Sequence, residues 1–203
     1  MAIPGNHDGD PEQFCRVFSR PAPIEDIGGV RFLAFIDREE PGFNASRSKA
    51  DIERIHTTRA GFNDPVVALQ HVCLFPPDQE VAPYNYTNAP DIIKALKDAG
   101  VILSVSGHHH HGGQDTEEDG VRFVNAPGLC EAPFPLQTIT IADGGVETQC
   151  HELAMPEELQ LVDNHLHTEL AYCAENVTVK KRLMPWVSRE FVSWPIPCAS
   201  SVA

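Results

Sequence analysis

Residues 101–113 read VILSVSGHHHHGG. The apolar, β-branched first half predicts a buried strand. Gly107 then permits a sharp turn straight into four histidines. By alternation, His108 and His110 point the same way. Imidazoles on one side of a tight loop are metal-ligand geometry. His109 and His111 read as neighbours of the ligands. The competing readings are a solvated His-rich loop and a fragment of a tag. The internal position, between a strand and two glycines, argues against a tag.

Other strands and helices are arranged around this one. GVRFLAFID, residues 29–37, predicts a buried strand. In SKADIERIHTTRAG, residues 48–61, Ser48 caps a helix that stops near Gly61. PVVALQHV, residues 65–72, is the next strand, with His71 at its C-terminal end. A Pro-rich loop over residues 75–90 leads to DIIKALKDAG, residues 91–100, an amphipathic helix with Gly100 as its stop. VRFVNAPG, residues 121–128, predicts another strand. LQTITIADGGVETQCHEL, residues 136–153, reads as a hairpin around Asp143-Gly144-Gly145. Strand, helix, strand, helix, strand and then strands alone make an α/β layer with a β-rich end. In such sheets ligands lie at the C-terminal ends of strands. Asn6, His7, His71, His108 and His110 all fall where a predicted strand gives way to a loop, which argues for one shared site.

Composition bounds the function. The 203 residues carry 15 basic and 29 acidic side chains, a net charge of -14. Such a surface repels a phosphate backbone and argues against non-specific nucleic-acid binding. It still admits a small phosphate ester held by a metal, because the ion inverts the local sign. The hydrophobic fraction of 42% suffices for a core. Cys15, Cys73, Cys130, Cys150, Cys173 and Cys198 are irregularly spaced, so reduced thiols and a cytoplasmic location are expected. No apolar run spans a membrane and no signal peptide is read at the N-terminus.

Taken together, Gly5-Asn6-His7-Asp8, His71 and Gly107-His108-His109-His110 resemble the calcineurin-like metallophosphoesterase family. The first stretch is similar to its G-N-H-[DE] motif, His71 to its isolated histidine, and the third to its G-H-x-H motif. FVNAPGL, residues 123–129, is similar to the strand and Gly turn that follow. The resemblance covers about residues 1–152. It implies an α/β sandwich of mixed sheets flanked by helices, and a two-metal centre of manganese, iron or zinc. Asn6, His71 and His108 would hold one metal and His110 would help hold the other. A bridging water would attack a small phosphate-ester substrate in line. His7 would protonate the leaving group or steady the phosphoryl charge. Asp8 is a candidate to orient His7. The family's D-x-H and G-D-x-x-[DN] motifs, which supply carboxylates, are not found ahead of Gly5. The expectation is therefore a partial domain with its N-terminal strands missing, a weakened centre, and an exposed sheet edge open to self-association.

Beyond Pro156 the character changes. VDNHLHT, residues 162–168, places His165 and His167 on one face of a short strand. It resembles the opening motif of the PHP (polymerase and histidinol phosphatase) family, in which both would be metal ligands. The expected organisation is a metallophosphoesterase-like region at 1–152, a PHP-like segment at 153–180 and a poorly ordered tail at 181–203. Two alternatives to an active phosphoesterase are a non-catalytic metal-binding module and an inactive fragment of a longer hydrolase. A nucleophilic reading of Cys73, two residues after His71 on the same strand face, is the weaker for want of an oxyanion element.

Overall fold

The computed structural model describes residues 1–76, 84–110, 112–113, 115–129, 134–142 and 145–153. His165 and His167, in the segment expected to be PHP-like, and the tail at 181–203 lie outside these residues. Met1–Gly128 and Ile139–Thr148 form one compact unit; Leu129–Thr138 and the chain from Gln149 group apart. The core and the site described below belong to the first unit.

In chain order the elements are α1 (Pro11–Val17), β1 (Ile24–Ile27), β2 (Val30–Ala34), β3 (Arg38–Glu40), β4 (Asn44–Ser46), α2 (Lys49–Thr57), β5 (Val66–Leu69), α3 (Ala89–Asp98), β6 (Leu103–Ser106), β7 (Thr116–Glu118), β8 (Val121–Asn125), β9 (Pro135–Ala142) and β10 (Gly145–Glu152). Six strands form one mixed sheet in the order β1-β2-β5-β6-β8-β7. The central pairs β2–β5, β5–β6 and β6–β8 are parallel, and the outer pairs β1–β2 and β7–β8 antiparallel. β3 and β4 form a separate hairpin, as do β9 and β10.

Period-two alternation divides each central strand between two cores. Leu33, Phe35, Val66, Ala68, Val121 and Phe123 face the helices, packing with Ile55 of α2 and Ile92, Ala95 and Leu96 of α3. Val67, Leu103 and Val124 face the opposite way, against Ile139, Ile141 and Val146 of the β9–β10 hairpin. Both faces of the sheet are therefore covered, and the expected mixed α/β sandwich is the fold observed.

Local chemistry accounts for the helices. Ser48 caps α2: its Oγ accepts from the Asp51 N–H at 3.1 Å and donates to the Asp51 carboxylate at 2.7 Å. In α3 the spacing of Ala89, Ile92, Ile93 and Leu96 buries one stripe, and Pro90 sits in the first turn. Beyond it, the Arg59 guanidinium donates to the Ala99 carbonyl at 2.9 Å and to that of Gly100, which satisfies acceptors left open at the helix end.

The structure adds α1, β1, β3, β4 and β7 to the elements expected from sequence. Their short, polar or fully exposed sequences carry little periodicity. β1, IEDI, is exposed at all four positions. It forms one edge of the large sheet and β7 the other. Ile24 and Ile27 are 38% and 49% exposed there. Among the described residues no helix is long and apolar enough to cross a membrane.

Candidate metal site at the strand ends

Three loops converge at the C-terminal ends of β5, β6 and β8. β5 stops at Leu69, and Gln70 and His71 continue past the sheet. The Gln70 N–H donates to Val105 O at 3.1 Å, and the Gly107 N–H donates to His71 O at 2.9 Å. These bonds hold the two strand ends side by side. The Gln70 side chain adds a second tie, donating to Ser104 Oγ at 2.8 Å and Ser106 Oγ at 3.1 Å. Beyond Gly107 the chain turns sharply: His108 is in the left-handed region at φ 69°, a conformation non-glycine residues seldom adopt and one that clusters at functional sites. The Gly128 N–H donates to His110 O at 2.7 Å and the Ala126 N–H to Ser106 O at 2.8 Å, which fixes the histidine loop against the end of β8.

The N-terminal loop approaches the same point. The Asp8 carboxylate accepts from the Gly5 N–H at 2.7 Å, and the Asp8 N–H donates to Gly5 O at 3.1 Å. Asp8 thus closes the Gly5–Asp8 turn on itself; this is the contact the structure gives it, in place of the expected one to His7. Gly5 is there because nothing larger fits. A β-carbon on it would lie 2.6 Å from His71 Cε1.

These approaches bring Asn6, His71 and His108 together. His71 Nε2 lies 2.8 Å from Asn6 Oδ1 and 3.1 Å from His108 Nδ1, and His108 Nδ1 lies 3.2 Å from Asn6 Oδ1. The imidazole rings of His71 and His108 meet edge to face, centroids 5.0 Å apart. Burial holds the His71 imidazole below its ordinary value, aided by His7 and His110 and opposed by Asp8. Burial and the neighbouring His71, His109, His110 and His7 press His108 down to about 4. Both shifts favour the neutral imidazole, the form that binds a cation.

The spacing fits one divalent ion. Donors at right angles around a metal with bonds of about 2.1 Å stand about 3.0 Å apart, close to the three separations here. The donor set is mixed nitrogen and oxygen and wholly neutral. Among the described residues no group of three or more His, Cys, Asp or Glu side chains could hold a metal; the cluster reaches three donors only by counting the Asn6 amide. His110 stands with His7, ring centroids 6.4 Å apart.

The surroundings of Cys73 do not favour a nucleophilic role. β5 ends before it, so the strand face it was expected to share with His71 does not exist. Its buried Sγ donates to Gly107 O at 2.9 Å and Asn125 Oδ1 at 3.3 Å. Burial pushes the thiol up to about 12, which leaves no thiolate near neutrality. Its contacts tie the start of the histidine loop to the end of β8.

Sequence reasoning missed two contributors. Gln70 was readable only as the residue before His71. Tyr84 packs edge-on against His108 at 5.4 Å and lies tilted against His109 at 5.6 Å; nothing in the Pro-rich loop marks which aromatic turns toward the site.

No family model matches the chain, and no curated protein matches it. Among solved structures, a dimetal phosphatase from Danio rerio is similar over 54% of this chain, at 17% identity and a TM-score of 0.33. The match spans 48%, about half, of that chain.

Proposed function

We propose that this chain carries the metal-binding part of a metal-dependent phosphoesterase of the calcineurin-like kind. The observation that carries the reading is the convergence of Asn6 Oδ1, His71 Nε2 and His108 Nδ1 to within 2.8–3.2 Å of one another, two of them from loops that follow the parallel strands β5 and β6 and the third from the N-terminal loop ahead of α1. In this reading the three residues hold a divalent metal. A metal there supplies Lewis acidity toward a phosphoryl oxygen and lowers the pKa of a bound water. His7, opposite His110, donates a proton to the departing oxygen of a small phosphate ester. His110 contributes to a second metal position. The motif order from Gly5 to His110 supports the same reading.

A second reading, a metal-binding module without turnover, is favoured by one observation: the cluster has no anionic ligand. Three neutral donors bind a divalent ion less tightly than a set that includes a carboxylate.

Metal content and hydrolysis, measured together, separate the two. The purified chain is equilibrated with manganese, the bound metal counted by elemental analysis, and bis-p-nitrophenyl phosphate hydrolysis assayed beside His108→Ala. Bound metal and turnover, both lost in His108→Ala, support the phosphoesterase. Bound metal without turnover supports the module. Absence of bound metal contradicts both.

A further inference from the structure

Phe43 is 59% exposed and sits at φ 61°, in the left-handed region. Such a backbone conformation is strained for a bulky residue, and exposure denies the ring the burial that could offset the strain. The surrounding structure nevertheless holds it firmly. Phe43 lies at the turn between β3 and β4, where Asn44 Nδ2 donates to Pro41 O at 2.8 Å. β4 is tied to the segment after Tyr84: the Ala45 N–H donates to Asn85 O at 3.1 Å and the Thr87 N–H to Ala45 O at 2.8 Å. At the hairpin's base the wholly buried Arg47 grips Asp37 through two bonds of 3.0 and 2.8 Å.

This scaffold sets Phe43 edge-on to Tyr84, centroids 5.7 Å apart, and Tyr84 in turn lies edge-on to His108. Phe75 continues the row by meeting His109 at 6.1 Å. An aromatic wall therefore runs outward from the metal-site histidines and ends in an exposed ring. A planar group attached to a phosphate held at His108 would meet Tyr84 first, 5.4 Å from His108, and then the exposed Phe43 ring, 5.7 Å further on. We infer that Phe43 and Tyr84 form a subsite for the aromatic part of the substrate, and that the preferred substrates are phosphate esters bearing a planar ring such as a nucleobase. The inference rests on the phosphoesterase reading for the identity of the ester.

Adenosine 5′-monophosphate and ribose 5-phosphate test it, because both are esters of the same primary alcohol and differ by the base. On the manganese-loaded full chain, the nucleotide exceeds ribose 5-phosphate in kcat/KM by about tenfold, the contribution of one stacked base. Phe43→Asn brings that ratio toward one. Asn tolerates left-handed backbone, so the variant's thermal midpoint holds or rises while selectivity falls, which a packing role would not produce. Equilibrium dialysis of both compounds against the metal-free chain gives a readout independent of turnover. Preferential nucleotide binding that Phe43→Asn abolishes, with neither compound nor bis-p-nitrophenyl phosphate hydrolysed by the loaded chain, upholds the subsite and overturns the phosphoesterase. Hydrolysis of both compounds at a ratio that Phe43→Asn leaves unmoved upholds the phosphoesterase and overturns the subsite. Equal binding of the two compounds also overturns it.

Discussion

Gly5 shows how narrowly the site is set at the scale of one residue. The His71 ring occupies the space where any other residue would place its β-carbon. Gly5→Ala must therefore push Asn6 or His71 out of register. The expected result is a loss of manganese affinity of about tenfold or more with little change in the unfolding midpoint, read by calorimetric titration and by urea denaturation. Protonation acts on the same cluster. His71 and His108 are held below the ordinary imidazole value of 6.5 in the folded chain, so the unfolded chain takes up protons first as pH falls. The stability His108 contributes is fully present above pH 6.5 and is lost as pH drops toward about 4, and the lowered His71 acts in the same direction. Urea midpoints of the metal-free protein across that range should decline, and less steeply in His108→Asn.

Secondary-structure elements place the histidines, and much of that placement is readable. Ser48 before an amphipathic run announced α2, and its Oγ does accept the Asp51 N–H. Ser48→Ala should cost about 1 kcal/mol of stability, measured as a shift in the urea midpoint at constant m. The apolar runs that became β2, β5, β6 and β8 were legible because their residues face cores on both sides of the sheet, which leaves near-continuous hydrophobic stretches. β1 and β3 were not legible for the opposite reason: IEDI and REE bury almost nothing, so only their pairing partners make them strands. At the site, His71 and His108 could be picked out from their positions at strand ends; the expected strand ahead of Asn6 is not there, since the first element is α1, and Asn6 was legible from its motif alone. The turning of Asp8 onto Gly5, the burial of Cys73 and the approach of Tyr84 depend on loop paths, and no periodicity encodes those.

For the molecule as a whole, one buried network joins the sheet to the loops that carry the site. Arg47 pairs with Asp37 past the end of β2, reaches Gln70 Oε1 at 3.4 Å, and stacks its guanidinium 3.6 Å above the Phe35 ring. Tyr86 Oη also donates to Asp37, at 2.8 Å. Asp37→Ala would strand a wholly buried guanidinium, at a cost of about 3–5 kcal/mol, visible as a large fall in thermal midpoint. Arg47→Met with Asp37→Leu should recover part of it, since apolar side chains of similar volume leave no buried charge unpaired. The central claim concerns what this frame presents: two imidazole nitrogens and one amide oxygen within 2.8–3.2 Å of one another, which are proposed to share one metal ion. Pulsed electron paramagnetic resonance of the manganese-loaded chain tests it most directly, because it detects nitrogen bound to the ion. The account predicts nitrogen coupling from two imidazoles, reduced to one in His71→Ala and in His108→Ala. A spectrum of manganese bound through oxygen alone, or one that neither substitution alters, would contradict it.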